Sequence, residues 1–207
     1  MKRWYRTMLK IGVLSLQGGV AEHLKMLDQI TGVSPLSVKK KEDFADLDGL
    51  ILPGGESTTL GKLLNIFDLK DTIIDLAQRG LPIWGTCAGM ILLAKEVDGE
   101  DSHLNLMDIS VKRNGYGNQL ASFKTMEVIP KIAEQEIPLV FIRAPYINQV
   151  SNNVQVLLEL DSKIVAAEQN NLLATSFHPE LAENLSVHQY FVNKVKASMT
   201  DALKIAK

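Results

Sequence analysis

The chain's one cysteine, Cys87, sits in the run Gly85-Thr86-Cys87-Ala88-Gly89. An apolar, strand-like stretch, residues 81–85, precedes it, and a helical stretch, residues 90–96, follows. Two glycines flanking a nucleophile at the junction of strand and helix are the pattern of a nucleophile elbow, here with a thiol in the attacking position. The glycines are needed because the chain reverses so tightly that side chains in their place would collide. The turn puts Cys87 at a helix N-terminus, where the dipole favours a thiolate. It also aims the Ala88 N–H at a developing oxyanion. The chemistry this suits is acyl transfer through a thioester. The same five residues also allow a plain alternative, a small buried cysteine in a tight turn.

A thiolate nucleophile needs a base. Of four histidines, His178 stands at the end of the apolar run 172–177, in Phe177-His178-Pro179-Glu180-Leu181. The C-terminal end of a strand is where open α/β sheets place their sites. Pro179 favours extended backbone, and residues i and i+2 of an extended chain point to the same side. Glu180 is therefore expected to accept from one imidazole nitrogen while the other faces the thiol. A surface turn that merely opens a short helix is the competing reading of these residues. His23 is expected to face solvent or pack along the first helix, His103 to lie in a polar loop, and His188 to sit on the exposed side of the last helix. A lone cysteine and scattered histidines offer no metal-ligand spacing, so no metal is expected.

A second glycine-rich turn, Pro53-Gly54-Gly55-Glu56-Ser57-Thr58-Thr59, also joins a strand to a helix. It lacks the Gly-Lys-Ser/Thr ending of a phosphate-binding loop. An elbow needs a second oxyanion donor from a neighbouring strand–helix loop, and the Gly55 N–H is placed to be one.

These turns must be held by a scaffold. Strands are expected over residues 10–16, 33–38, 49–52 and 81–85, with Pro35 keeping the second near an edge. Helices are expected from Gly18-Gly19 to about residue 30, after a cap at Ser57, over 71–79 up to Gly80, and over 90–96. Strand and helix alternating at this spacing predict an α/β, three-layer open sheet, mostly parallel. Further strands at 106–112, 123–129, 139–142, 154–160, 163–167 and 172–177 predict antiparallel additions to that sheet, closed by an amphipathic helix over 184–199. The Lys39-Lys40-Lys41 run, followed at once by Glu42 and Asp43, reads as a solvated loop.

Composition bounds the rest. The chain has 207 residues, 46% hydrophobic and 22% charged, enough for one buried core. A formal net charge of −2 gives no general attraction to nucleic acid or anionic membrane. A single thiol excludes an internal disulfide and fits a reducing, cytoplasmic setting. No apolar run approaches the length of a membrane span. Met8 is a second candidate start, so residues 1–8 read as an N-terminal extension or alternative start, 9–200 as one domain, and 201–207 as a tail.

Gly-Thr-Cys-Ala-Gly at 85–89 and His-Pro-Glu at 178–180 resemble the class I glutamine amidotransferase family, whose fold is flavodoxin-like. Leu16-Gln17-Gly18, Glu22-His23, Leu52-Pro53 with the turn after it, Arg113-Asn114, Phe141-Ile142-Arg143-Ala144-Pro145 and Ser176–Leu181 resemble more narrowly the glutaminase subunits of pyridoxal 5′-phosphate synthase. The resemblance runs from about residue 9 to 195. It implies that Cys87 is the nucleophile, His178 the acid and base, Glu180 its orienting partner, and Gly55 and Ala88 the oxyanion donors. It further implies that Gly55, Glu56, Ser57, Arg113, Ile142 and Arg143 contact L-glutamine. No cofactor is implied. The implied partner is a separate synthase subunit, PdxS, that receives the ammonia, with twelve copies of each subunit in the complex.

The chain departs from that family at Gly61-Lys62, where two arginines are common, and at Gly115-Tyr116-Gly117-Asn118-Gln119. Both departures bear on subunit contacts and loop rigidity. Three other readings remain open on sequence alone. They are a glutaminase serving another synthase, a non-catalytic member of the Cys-elbow fold, and a phosphate-binding module on Gly54-Gly55.

Overall fold

A computed structural model describes residues 8–113, 115 and 122–205. The extension 1–7, Asn114, and the departures at Tyr116, Gly117, Asn118 and Gln119 lie outside the described residues. In chain order the elements are β1 (Leu9–Leu14), α1 (Val20–Asp28), β2 (Val33–Val38), β3 (Gly49–Leu52), α2 (Ser57–Ile66), α3 (Lys70–Gln78), β4 (Ile83–Thr86) and α4 (Ala88–Leu93). They continue with β5 (Ala94–Val97), β6 (Met107–Lys112), β7 (Ser122–Ile129), β8 (Ala133–Ile142), β9 (Tyr146–Val150), β10 (Gln155–Leu160), β11 (Lys163–Gln169), β12 (Leu172–Thr175) and α5 (Ser186–Ile205).

The main sheet has the order β2-β1-β3-β4-β12-β11-β9-β6-β5, with β10 paired to β11. From β2 to β12 all neighbours are parallel. Side chains alternate across this sheet, and both faces are buried. Ile11, Val13, Ile51, Trp84 and Leu173 join the cluster that holds Leu27 of α1 and Phe191 and Val195 of α5. Leu14, Leu50, Leu52, Ile83 and Leu172 join the cluster that holds Leu60, Leu64, Ile73 and Met90 of α2, α3 and α4. A strand apolar at successive positions is stable only when covered on both sides, which is why these short runs lie at the centre of three layers. As expected from Pro35, β2 is an edge strand.

Four elements differ from expectation. β7 and β8 form their own two-stranded sheet instead of extending the main one. Their apolar residues Ile129, Ile137, Leu139 and Phe141 pack into the α1/α5 cluster, so the hairpin covers the main sheet. β8 begins six residues before the expected 139 because the polar stretch from Ala133 still pairs with β7. The helix expected over 90–96 starts at Ala88 and stops at Leu93. Ala94 turns extended (ψ 143°) and pairs in parallel with Met107, converting the last residues into β5. The last helix continues to Ile205, beyond the expected 199. Among the described residues no helix is long and apolar enough to cross a membrane.

Candidate active site

β4 delivers Cys87 at the C-terminal edge of the parallel strands. The residue has φ 49° and ψ −106°, a left-handed conformation that side-chain-bearing residues rarely adopt. It is held there from both sides. Its N–H donates to Thr175 O at 2.8 Å, and its carbonyl accepts from Met90 N–H at 3.1 Å. The flanking glycines are required by close approach: a Cβ on Gly89 would lie 1.9 Å from Leu52 O, and one on Gly85 would lie 2.4 Å from the Gly89 carbonyl. The kink therefore forms only if both positions stay bare, as the sequence pattern predicts.

The neighbouring strand β12 delivers His178, whose N–H donates to Val140 O of β8 at 2.7 Å. Glu180 Oε1 meets His178 Nδ1 at 2.7 Å. The expected i, i+2 pairing is present, but extended backbone does not produce it. Pro179–Leu181 forms a 3-10 turn that folds the carboxylate back onto the ring. With Nδ1 engaged, Nε2 is the nitrogen left for the Cys87 sulfur. Burial alone would lower the His178 pKa, yet hydrogen bonds to Cys87 and Glu180 and their negative charge raise it to about 10. Gly54 lies against both groups, since a Cβ there would come within 2.5 Å of His178 Cε1 and 3.2 Å of Cys87 Cβ. The three expected triad residues thus come together, all nearly buried.

The Gly54-Gly55 turn is pinned on either side of its exposed peptide. The Gly54 N–H donates to Thr86 Oγ1 at 3.0 Å, and the Glu56 N–H donates to Gln17 Oε1 at 2.9 Å. Gly54 O accepts from Gly19 N–H at 3.1 Å. Among the described residues neither the Gly55 N–H nor the Ala88 N–H donates to a protein acceptor. Both residues line the same open cavity of about 540 Å³ as Cys87 and His178.

The other expected substrate contacts, Glu56, Ser57, Arg113, Ile142 and Arg143, also line this cavity, though several have their polar atoms committed elsewhere. Glu56, not Ser57, caps α2: its carboxylate accepts from Thr58 N–H at 3.1 Å and Thr59 N–H at 2.7 Å. The Thr59 hydroxyl bond, together with these N–H groups, holds its pKa down at about 2. A glutamate with its longer reach takes the cap because Ser57 Oγ instead donates to Glu100 Oε1 at 2.8 Å. Arg113 bridges this network, donating to Glu100 Oε2 at 2.6 Å and lying 3.4 Å from Glu56 Oε1. Arg143 has φ 43°, which turns the chain sharply after β8 at the cavity rim.

Several site residues escaped the sequence reading. Glu100 sits in a polar loop with no pattern to mark it, yet it also meets the Thr58 hydroxyl at 2.9 Å and His103 at 3.3 Å. His103 packs on Gly61, where a Cβ would overlap its ring at 2.2 Å, so the Gly61 departure is matched by a residue that fills the space. His23 and His188 overturn their expected positions: neither faces solvent, and both rings are wholly buried. Trp84 packs edge-on against each, at 5.5 and 5.0 Å between ring centroids. The amphipathic pattern of α5 counted His188 as polar, whereas its partner at this position is another histidine. Among the described residues no group of three or more His, Cys, Asp or Glu could hold a metal ion.

A model of the SNO glutamine amidotransferase family matches residues 13–197. The chain belongs to this family. Other glutamine amidotransferases lie close in sequence. The pyridoxal 5′-phosphate synthase subunit PdxT of Clostridium botulinum is 54% identical over 188 residues, covering 90% of this chain and 97% of that one. PdxT of Ruminiclostridium cellulolyticum is 54% identical over 189 residues, covering 91% and 100%. A crystal structure of a glutamine amidotransferase superposes with TM-score 0.85 at 39% identity, covering 90% of this chain and 98% of that one. PurLQS from Thermotoga maritima shares the fold, with TM-score 0.62 at 17% identity, covering 95% and 99%.

Proposed function

We propose that Cys87, His178 and Glu180 are the triad with which this chain, the glutaminase subunit of a pyridoxal 5′-phosphate synthase, takes ammonia from L-glutamine. The observation that carries this reading is the strained Cys87 beside an imidazole whose far nitrogen is held by Glu180 at 2.7 Å. The Cys87 thiolate attacks the side-chain amide carbon, forming a C–S bond. The Gly55 and Ala88 N–H groups hold the resulting oxyanion. His178 gives its proton to the amide nitrogen, the C–N bond breaks, and ammonia leaves a glutamyl thioester. Water, deprotonated by His178, then attacks the thioester, and glutamate departs as the thiolate reforms.

Substrate selection follows from charge. Glutamine carries both an α-carboxylate and an α-ammonium, so its site needs polar partners of both signs. Arg113 and Arg143 suit the first and Glu56 the second, with Ser57 and Ile142 completing the wall. Ser57 acts through the loop it braces, since its hydroxyl already donates to Glu100.

Ammonia protonates quickly in neutral water and then no longer attacks carbonyls, so it must pass directly to an acceptor. We assign that acceptor to the synthase subunit PdxS, docked over the cavity mouth in the cytoplasm in a complex of twelve and twelve. Support comes from the PdxT relatives, which span nearly the same length as this chain. Ammonia release from glutamine, measured with and without co-expressed synthase, tests the reading. Release is expected to rise on docking and to vanish in Cys87→Ala with the fold intact. Undiminished turnover in that variant overturns it, and equal sedimentation of the mixture and its parts removes the complex.

A further inference from the structure

We propose that His23, braced by His188, is a positioning residue for Glu180, holding the carboxylate oxygen that His178 leaves unused. The inference rests on the triad reading above. Glu180 Oε1 is taken by His178, while Oε2 is buried with no hydrogen-bond partner among the described residues. His23 Nε2 stands 3.4 Å from that oxygen and 3.2 Å from Thr86 Oγ1. His23 Nδ1 meets His188 Nε2 at 3.0 Å.

The tautomers follow from where protons are needed. If His23 carries its proton on Nε2, that proton lies between Thr86 Oγ1 and the orphaned carboxylate oxygen, and Nδ1 accepts from His188 Nε2–H. His188 Nδ1, buried without a partner, is then a bare acceptor. The opposite arrangement strands an N–H donor in the core and leaves Glu180 Oε2 with nothing facing it. Desolvation holds the His23 pKa well below its usual range, and repulsion from His188 and His178 adds to this, so the ring is neutral. A neutral donor orients a carboxylate without cancelling the charge that His178 requires. Steric closeness reinforces the arrangement: a Cβ on Gly19, just before α1, would come within 2.8 Å of Glu180 Oε1. The N-terminal end of α1 therefore packs against the carboxylate, and Gly19 and Glu180 both line the cavity.

The test uses the full chain with its synthase subunit and reads kcat and KM for glutamine hydrolysis. His23→Leu is expected to lower kcat about tenfold or more with KM changed less than about twofold. His23→Gln, whose amide N–H reaches the Nε2 position, should recover most of kcat. His23→Asn, whose amide reaches only the Nδ1 position, should not, and this pair keeps the test open if the leucine variant fails to fold. In a Glu180→Gln background, His23→Leu should add no further loss. Unchanged kcat in His23→Leu, equal kcat in the glutamine and asparagine variants, or losses that multiply with Glu180→Gln would each overturn the inference. Full activity in Glu180→Gln alone would instead strike the triad reading, and this inference with it.

Discussion

The Gly54 N–H donates to Thr86 Oγ1 at 3.0 Å, tying the loop after β3 to the residue directly before Cys87. The Gly55 and Ala88 N–H groups proposed as oxyanion donors follow different strands and must keep a fixed separation, because the charge they would meet develops at one atom. Thr86 supplies that separation. It is fully buried, and its hydroxyl also meets His23 Nε2 at 3.2 Å.

Thr86→Val keeps shape and removes this acceptor. The Gly54 N–H is then left without its partner, a loss of about 1–3 kcal/mol. We expect kcat for ammonia release to fall by about tenfold or more while KM for glutamine stays close to wild type, since the Gly55 N–H is moved from the oxyanion it is proposed to hold. Steady-state kinetics alongside thermal unfolding check this. A variant with normal kcat and lowered stability would show that the bond supports only the fold.

Glu100 should act on binding more than on chemistry. Its carboxylate gathers Ser57, Thr58 and Arg113 at 2.6–2.9 Å, and Ser57 and Arg113 line the cavity. Glu100→Gln removes the charge opposite Arg113 and frees that guanidinium to move. KM for glutamine is expected to rise severalfold, about 1 kcal/mol in binding, with kcat within about twofold. Measured kinetics in which kcat falls and KM holds would place Glu100 with the oxyanion loop instead.

His188 predicts a signature in acid. Desolvation in its buried site pushes its pKa down to about 3 from an ordinary value of 6.5. Between those values the unfolded chain binds a proton that the folded chain refuses, so stability contributed by the neutral ring is present above pH 6.5 and lost as pH falls toward 3. The loss runs at about 1 kcal/mol per pH unit for this one group. His188→Gln should flatten the decline in unfolding temperature between pH 6.5 and 4 relative to wild type. Parallel declines in the two proteins would refute a neutral buried His188.

How much of this was legible beforehand depends on how local each cause is. The Cys87 elbow could be read from five residues because its glycines are forced by contacts within the turn and with the strand beside it. The parallel core could be read because short apolar runs alternating with amphipathic stretches bury both faces of a sheet. Pro35 marked an edge strand because it has no N–H to donate, and only an edge strand has a side where no ladder bond is needed. The β7–β8 sheet was hidden, because an alternating strand does not say which sheet it will join.

The sequence by itself marked Cys87, His178 and Glu180 as the proposed nucleophile, base and orienting carboxylate and outlined the sheet that carries them, since each of these signals rests on neighbours within a few positions. Tertiary structure alone decided what surrounds them. Glu100 reaches Arg113 from 13 positions away, Gly54 reaches Thr86 from 32, and His23 reaches His188 from 165. A histidine on a helix carries no mark of whether the facing surface will be water or another ring. Only when α1 and α5 pack on the same face of the sheet do two apparently polar positions become a buried pair behind Glu180.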